Sequence, residues 1–208
     1  MFERMVIAGV GLICGSLALD MRRRKLVKEV VGYGRSESNL KIAKKKGLID
    51  SYFLRESEFP PGVDLLMMGT PVETIVTLTQ AFLPRLEKNC VVSDVGSVKG
   101  EIVRGMEKLL PKHISFVAGH PIAGSEQWGA VAARENLFVR HRCVLTPTKK
   151  TDKKALKRIA ELWRQVGAEV EIMPPDVHDR VLGVISHLPH VLVYALVNAL
   201  NRTQLNGV

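Results

Sequence analysis

The chain has 208 residues, of which 46% are hydrophobic and 25% are charged, a composition that excludes an intrinsically disordered protein. Lysine and arginine number 30 against 21 aspartates and glutamates, so the net charge is +9 and favours anionic partners such as nucleotide phosphates or a carboxylate substrate. Aromatic residues make up only 5%, which argues against nucleic acid bound by base stacking. The three cysteines form no CxxC pair, and their odd number predicts a reducing cytoplasm rather than a disulfide framework.

Short β-rich runs alternate with amphipathic helical patterns, which predicts an α/β fold with a mostly parallel, doubly wound sheet. The predicted strands are residues 5–8, 30–32, 64–68, 90–93, 115–118, 142–145 and 168–172. The predicted helices between them are residues 12–24, 37–46, 72–86, 98–110 and 153–166.

Three signals mark the ends of helices. Thr70, Pro71 and Glu73 have the spacing of a capping box with proline at the first helical position. Gly47 follows a run of lysines and is expected to end the second helix. Asp176 is expected to cap a long C-terminal helix.

The proline pair at positions 174 and 175 ends the last strand and sets the predicted domain boundary. We therefore expect residues 1–173 to form one domain, and residues 174–208 to be the first helix of a truncated helical domain. That helix is apolar on most faces, so it requires a covering surface.

Two apolar stretches resemble membrane segments. In residues 5–19 the basic cluster follows the apolar run, which is the wrong order for a secretory signal. Residues 181–200 are long enough to cross a bilayer, but polar and helix-breaking residues interrupt them, which favours a buried or interface-forming helix. These interruptions are Gly183, Ser186, His187, Pro189, His190 and Asn198.

A G-V-G-L-I-C-G segment begins at Gly9, directly after the first predicted strand. Gly9 and Gly11 would let backbone N–H groups approach a pyrophosphate, which the start of the following helix, at Leu12 and Ile13, would stabilise. A tight glycine turn without a ligand is the alternative. Cys14 stands where the dinucleotide pattern has a third glycine, and buried packing is favoured over a reactive thiol.

The second predicted strand ends in a turn without an acidic residue. An NAD-preferring site places Asp or Glu there, whereas Gly34 leaves room and Arg35 and Ser36 could bind a 2′-phosphate. The turn therefore favours NADP over NAD. The alternatives are a solvated loop charge for Arg35 and a helix N-cap for Ser36.

Chemistry-bearing residues follow successive strands and are expected to meet in one cleft at the carboxyl edge of the sheet. His120 would face the nicotinamide there and share a proton during hydride transfer, with a core or capping histidine as the alternative. Ser97 would either bind substrate or cap the next helix. The turns that form the cleft are residues 9–11, 34–36, 69–71, 94–99 and 119–124.

His187 and His190 lie three residues apart in the C-terminal helix, on nearly one face. No Cys or carboxylate completes a ligand set at a recognisable spacing, so we predict no metal site. Lining a substrate cleft between the sheet domain and the helix is favoured instead.

Taken together, these motifs resemble the prephenate and arogenate dehydrogenases of tyrosine biosynthesis over nearly the whole chain. The Gly-His-Pro and Ser-His-Leu-Pro-His segments are more specific than the glycine loop. The matching segments are residues 9–13, 94–99, 119–126, 178–179 and 186–190.

The resemblance implies a Rossmann-type fold and the NAD(P)-dependent oxidative decarboxylation of a cyclohexadienyl carboxylate. His120 would assist deprotonation of the substrate hydroxyl, and Ser97 would orient that hydroxyl and the nicotinamide. Thr70 and Pro71 match the loop beside the adenosine half of the cofactor. The substrate pocket would be lined by Glu126, Ser186, His187 and His190.

Family members continue into an all-helical dimerisation domain that supplies an arginine for the substrate's side-chain carboxylate. The resemblance thus implies a homodimer through the C-terminal helical region, without nucleic-acid or membrane partners. It leaves open whether these 208 residues turn over substrate, whether the substrate is prephenate or arogenate, and whether tyrosine inhibits. The alternatives are a catalytically silent NADP-binding regulatory module and another β-hydroxyacid-type reductase.

Overall fold

The structure is a computed structural model that describes residues 1–202. The strands are β1 (Phe2–Ala8), β2 (Val27–Tyr33), β3 (Ser51–Phe53), β4 (Leu65–Met68), β5 (Val91–Asp94), β6 (Ser115–Val117), β7 (Gly119–Pro121), β8 (Arg142–Leu145) and β9 (Glu169–Ile172). The helices are α1 (Leu12–Arg23), α2 (Glu37–Lys45), α3 (Val72–Phe82), α4 (Gly100–Leu109), α5 (Lys153–Gln165), α6 (Pro175–Leu182) and α7 (Leu188–Arg202).

Six parallel strands form the main sheet in the order β3-β2-β1-β4-β5-β6. In the central strands, residues 5–8 of β1 and all of β4 are apolar and buried, as expected of parallel strands covered on both faces. One apolar cluster packs α1, α2 and α5 against the sheet, and a second packs α3 and α4. This arrangement confirms the predicted α/β, doubly wound, Rossmann-type fold.

Three further strands form a second sheet, in the order β7-β8-β9. β7 pairs antiparallel with β8, whereas β8 pairs parallel with β9. The sequence predicted strands over β8 and β9 but placed residues 119–124 in a turn, which is wrong for the segment that forms β7. His120 therefore lies on an edge strand, one residue after Gly119, whose N–H donates to Asp94 at the end of β5.

The predicted capping box before α3 is also wrong. Pro71 is the N-cap with an extended ψ of 141°, so α3 begins one residue later, at Val72. Thr70 then lies outside the helix, and no side chain caps the end. The prediction for Gly47 is confirmed, since it follows α2 with a φ of +70° that glycine adopts without strain.

The C-terminal helical run contains one wide turn. α6 and α7 are joined by a π-helical turn over Gly183–His187. Pro174 is the N-cap of α6, so the predicted cap at Asp176 is wrong and that residue lies in the first turn. Pro175 takes the first helical position, where its missing N–H costs no hydrogen bond.

Within residues 1–202, the run Pro175–Arg202 is the one helix long and apolar enough to cross a membrane, judged by length and composition alone. All of α7 is exposed, including large apolar side chains. An exposed apolar surface of this kind is typical of an interaction site. That it forms an interface rather than a membrane span stays a prediction, as does the domain boundary at 173/174; residues 203–208 lie outside the described part.

Candidate active site

The glycine loop leaves the start of α1 open. Gly9 has a φ of +93°, and a Cβ there would lie 2.5 Å from the Gly69 carbonyl oxygen, so this position requires glycine. Gly11 is the N-cap of α1, and a Cβ built on it would meet nothing within 4 Å. The first-turn N–H groups, at Leu12 and Ile13, have no preceding helical turn to bond, so they are available to an anion.

Cys14 packs against the backbone of the neighbouring loop. A Cβ built on Gly69 would overlap Cys14 Sγ, so the thiol fits only because residue 69 has no side chain. Burial raises the pKa of Cys14 to about 12. A buried packing role, rather than a reactive thiol, is therefore what the structure shows.

The turn after β2 presents an exposed cation. Arg35 is exposed, whereas Ser36 is the N-cap of α2 and accepts from Asn39 N at 3.3 Å, so the capping alternative holds for Ser36. The structure also brings an acid that the turn itself lacks: Tyr33 Oη donates to Glu56 from the loop after β3. Burial, followed by this bond, raises the pKa of Tyr33 to about 12.

A cleft of about 730 Å³ lies between the start of α2 and the loop after β7. Asn39 lines this cleft and links two neighbouring segments. Its Nδ2 donates to Val10 O and its Oδ1 accepts from Ala130 N, each at 2.8 Å. Trp128 also lines the cleft and is 85% exposed to solvent. Glu126 lines this cleft beside residues of α2, and its predicted role in substrate binding stays a prediction.

Thr70 lies in the loop between β4 and α3, next to the contact between Gly9 and Gly69. Its hydroxyl is buried and, within residues 1–202, has no hydrogen-bond partner. Pro71, beside it, is exposed. An unpaired buried hydroxyl, together with the open start of α1, fits a site built for a dinucleotide.

A line of three polar side chains leads from β7 to the start of α4. His120 Nδ1 lies 2.8 Å from His178 Nε2, and His178 Nδ1 lies 2.8 Å from Asp179 Oδ1. The Asp179 carboxylate also accepts from the backbone N–H groups of Lys99 and Gly100, each at 2.8 Å. His178 and Asp179 of α6 thus connect the edge strand to a helix of the sheet domain.

Burial and these contacts shift the pKa values of His120, His178 and Asp179. Burial, then the nearby Lys99 ammonium, lowers the pKa of His120 to about 3, so its imidazole is neutral. Burial likewise lowers the pKa of His178. Burial opposes ionisation of Asp179, but hydrogen bonds from His178 and from two backbone N–H groups outweigh it and lower the pKa of this carboxyl.

A fully buried ion pair lies beneath β7. Lys99 Nζ bonds Asp94 Oδ2 and donates to Gly119 O at 2.7 Å. Asp94 in turn accepts from Gly96 N at 2.9 Å and Gly119 N at 3.1 Å. The pair therefore fixes the backbone of the residue before His120. Burial lowers the pKa of Lys99, although the adjacent Asp94 carboxylate acts in the opposite direction.

Ser97 lies exposed in the loop between β5 and α4. The N-cap of α4 is Lys99, so the alternative that Ser97 caps this helix is wrong. Among the described residues no group bonds its hydroxyl, and its predicted role in orienting substrate stays a prediction.

The serine and histidines of the π-helical turn differ in exposure. Ser186 and His187 are half-buried, and His187 lies close enough to His120 to affect its charge. His190 is exposed, and its Nδ1 donates to Ser186 O at 2.7 Å. Among residues 1–202, no group of three or more His, Cys, Asp or Glu side chains could hold a metal ion.

Sequence reasoning assigned no role to His178, Asp179, Lys99 or Asp94. The signal for the first two was a pair of adjacent titratable residues in the middle of α6. Nothing in that local pattern reveals a partner 58 residues earlier in the chain.

The chain matches two family models in succession. Residues 17–172 match "Prephenate dehydrogenase, nucleotide-binding domain", and residues 174–207 match "Prephenate dehydrogenase, dimerization domain". A prephenate dehydrogenase of Bacillus subtilis is 36% identical over 208 residues, which cover 98% of this chain and 55% of that protein. This chain thus spans about half the length of that relative.

Solved structures give the same result. Prephenate dehydrogenase from Aquifex aeolicus, in complex with hydroxyphenyl propionate and NAD⁺, superimposes with a TM-score of 0.91 at 38% identity, covering 98% of this chain and 71% of that one. Arogenate dehydrogenase from Synechocystis has a TM-score of 0.84 at 32% identity, covering 95% and 69%. The chain belongs to the prephenate dehydrogenase family.

Proposed function

We propose that this protein catalyses the NAD(P)-dependent oxidative decarboxylation of prephenate or arogenate, a step of tyrosine biosynthesis. Membership of the family supports the reaction, and the bound NAD⁺ and hydroxyphenyl propionate of the Aquifex aeolicus relative support the cofactor and substrate class. Within this chain, the observation that carries the proposal is His120. Its imidazole is neutral, and it stands on an edge strand that is bonded to the carboxyl end of β5.

The bound nicotinamide would supply one function, the acceptance of a hydride from the ring carbon that carries the substrate hydroxyl. His120 takes the hydroxyl proton as that carbon is oxidised to a carbonyl. The bond to the ring carboxylate then breaks, CO₂ leaves, and the electron pair enters the ring to give a phenolate. That oxygen recovers the proton from His120, so His120 ends the cycle neutral and no net proton is released.

The remaining predicted site residues have two proposed roles, binding of the substrate and binding of the dinucleotide. In the proposal, the substrate is bound by Ser97, Glu126, Ser186, His187 and His190. The dinucleotide is bound by Gly9, Gly11, Leu12, Ile13, Gly34, Arg35, Ser36, Thr70 and Pro71. The half-buried position of His187 near His120 supports the first group, and the open start of α1 supports the second.

We further propose that NADP is preferred to NAD, because Arg35 is exposed at the turn where the 2′-phosphate of NADP would lie. Substituting Arg35→Ala is expected to raise the Kd for NADP about 10–100-fold, the value of one charge-assisted hydrogen-bond pair, with little change for NAD. Isothermal titration of both nucleotides measures this. Arg55→Ala is the control, because Arg55 is also exposed but is paired with Glu58. Tighter binding of NAD than NADP by the unsubstituted protein would contradict the preference.

The proposed reaction is tested by incubating the protein with prephenate or arogenate and with NAD or NADP. We expect reduced nicotinamide, CO₂ and a 4-hydroxyphenyl product to appear in equal amounts with at least one pair. Nucleotide binding without turnover of either substrate would favour a silent binding module. Reduction of small keto acids or imines, with no reaction of prephenate, would favour a different reductase.

We also propose a homodimer formed through the C-terminal helical region, and a cytoplasmic location. The exposed apolar surface of α7 and the match of residues 174–207 to a dimerization domain support the dimer. The three cysteines are free, buried thiols, as a reducing compartment would maintain them.

A further inference from the structure

We propose that His178 and Asp179 are positioning residues that hold the proton of His120 on Nδ1 and so leave Nε2 free to accept the substrate proton. The consequence for turnover rests on the proposed function. The protonation pattern itself depends only on the contacts between the three side chains.

The first step of the argument is that Asp179 can only accept hydrogen bonds. Its carboxyl pKa is lowered, and its two oxygens face three N–H groups: one from His178 and two from the start of α4. Gly100 allows this approach, because a Cβ there would lie 2.9 Å from Asp179 Oδ2. The partial positive charge at the start of α4 further stabilises the anion. His178 Nδ1, bonded to this carboxylate, must therefore carry a proton.

The second step passes through the ring of His178. This side chain is fully buried, and burial lowers its pKa, so the ring is neutral and carries one proton. With that proton on Nδ1, Nε2 is an acceptor. The partner at 2.8 Å, His120 Nδ1, must then donate.

The third step fixes the reactive nitrogen. His120 is also neutral, so with its proton on Nδ1 it has a lone pair on Nε2, and within residues 1–202 no group bonds that nitrogen. The charged and titratable groups that surround His120 are Lys99 before α4, His178 and Asp179 in α6, and His187 in the π-helical turn, with the buried thiol of Cys143 on the adjacent strand β8.

The same hydrogen bonds also accommodate His120 in its protonated, positively charged state. When His120 Nε2 takes a proton, Nδ1–H goes on donating to His178, and the ionised Asp179 lies behind that ring. No side chain has to reorient during the transfer. In the Ser-His-Asp hydrolases a buried aspartate fixes the tautomer of the catalytic histidine in a similar way, and replacing that aspartate by asparagine lowers kcat about 10⁴-fold.

The tautomer is measured directly by NMR of ¹⁵N-histidine-labelled protein, in which the shifts and couplings of each ring nitrogen report whether it is protonated. We expect His120 and His178 both to carry the proton on Nδ1. A proton on Nε2 of neutral His120 would overturn the proposal, whether or not the protein turns over prephenate.

Two substitutions of His178 separate positioning from packing. In His178→Leu, His120 Nδ1–H loses its acceptor, so we expect a substantial fraction of the Nε2–H tautomer. In His178→Gln, the side-chain oxygen can still accept, so the Nδ1–H tautomer should persist. Asp176→Asn is the matched control, since this exposed acid lies in the same helix and, among the residues that the structure describes, pairs only with Arg180. An unchanged tautomer in His178→Leu would refute the positioning role.

Turnover provides the second readout. His178→Leu is expected to lower kcat about 10²-fold with KM nearly unchanged, and His178→Gln should recover most of that loss. Nucleotide Kd and the thermal midpoint, measured on the same samples, report the fold. A purely structural role predicts that the two variants lose activity in proportion to their stability, which would contradict the proposal. If the unsubstituted protein has no turnover, the proposed reaction fails, but the NMR result still decides the tautomer.

Discussion

Substituting His120→Asn is expected to lower kcat for the proposed oxidative decarboxylation about 10³-fold, because asparagine cannot take the proton of the substrate hydroxyl. The amide nitrogen of asparagine can replace Nδ1 of His120 as the donor to His178, so the line of hydrogen bonds survives. Binding of NADP, measured by titration, should change little. Steady-state kinetics with the preferred substrate and nucleotide measures the effect.

His113→Asn is the control for this substitution, because His113 is exposed in the loop between α4 and β6 and takes part in none of the contacts described for His120. It should leave kcat unchanged. If His120→Asn retained activity within about tenfold of the unsubstituted enzyme, His120 would not be the proton acceptor and the proposed chemistry would be wrong.

The same substitution has a second readout in stability against pH. The pKa of His120 falls from an ordinary value of 6.5 to about 3 in the folded protein, so the unfolded chain binds this proton more readily. The stability contributed by neutral His120 is complete above pH 6.5 and is lost as the pH falls towards 3. His120→Asn removes this contribution, and its free energy of unfolding should decline less steeply across that window.

The sequence predicted those parts of the fold that depend on local patterns. Apolar strand patterns were sufficient for five of the six strands of the main sheet, whereas the short edge strand β3 was not predicted. The loop after β4 was mispredicted, because the Thr70–Glu73 spacing fits a capping box, yet the extended ψ of Pro71 starts the helix after it. A local motif does not reveal which of two conformations its proline adopts.

The candidate site shows the same limit at longer range. His120 and Ser97 were identified from motifs, whereas the contact between His120 and His178 depends on how α6 packs against α4. Asp94 and Lys99 were quoted within a matching segment but were given no role, since a sequence does not reveal that both side chains are fully buried. Burial and partners of these charges are set by tertiary packing alone.

Removing one charge of the buried pair is expected to cause the largest loss of stability. Lys99→Met leaves the Asp94 carboxylate buried and without its cation, which should cost about 3–5 kcal/mol in the free energy of unfolding. The Gly119 carbonyl oxygen also loses its donor, so the strand that carries His120 should loosen. Urea denaturation of the unsubstituted and substituted proteins measures this loss.

A double-mutant cycle distinguishes the buried charge from lost packing. Lys99→Met combined with Asp94→Asn should be more stable than Lys99→Met alone, because no unpaired charge remains and the amide oxygen can still accept from a backbone N–H. Lys41→Met is the control, since the Lys41–Glu37 pair is exposed and should be worth at most about 1 kcal/mol. If the two single losses simply add in the double variant, the ion pair does not couple these positions. The backbone of β7 would then be held by its strand pairing with β8 rather than by Lys99.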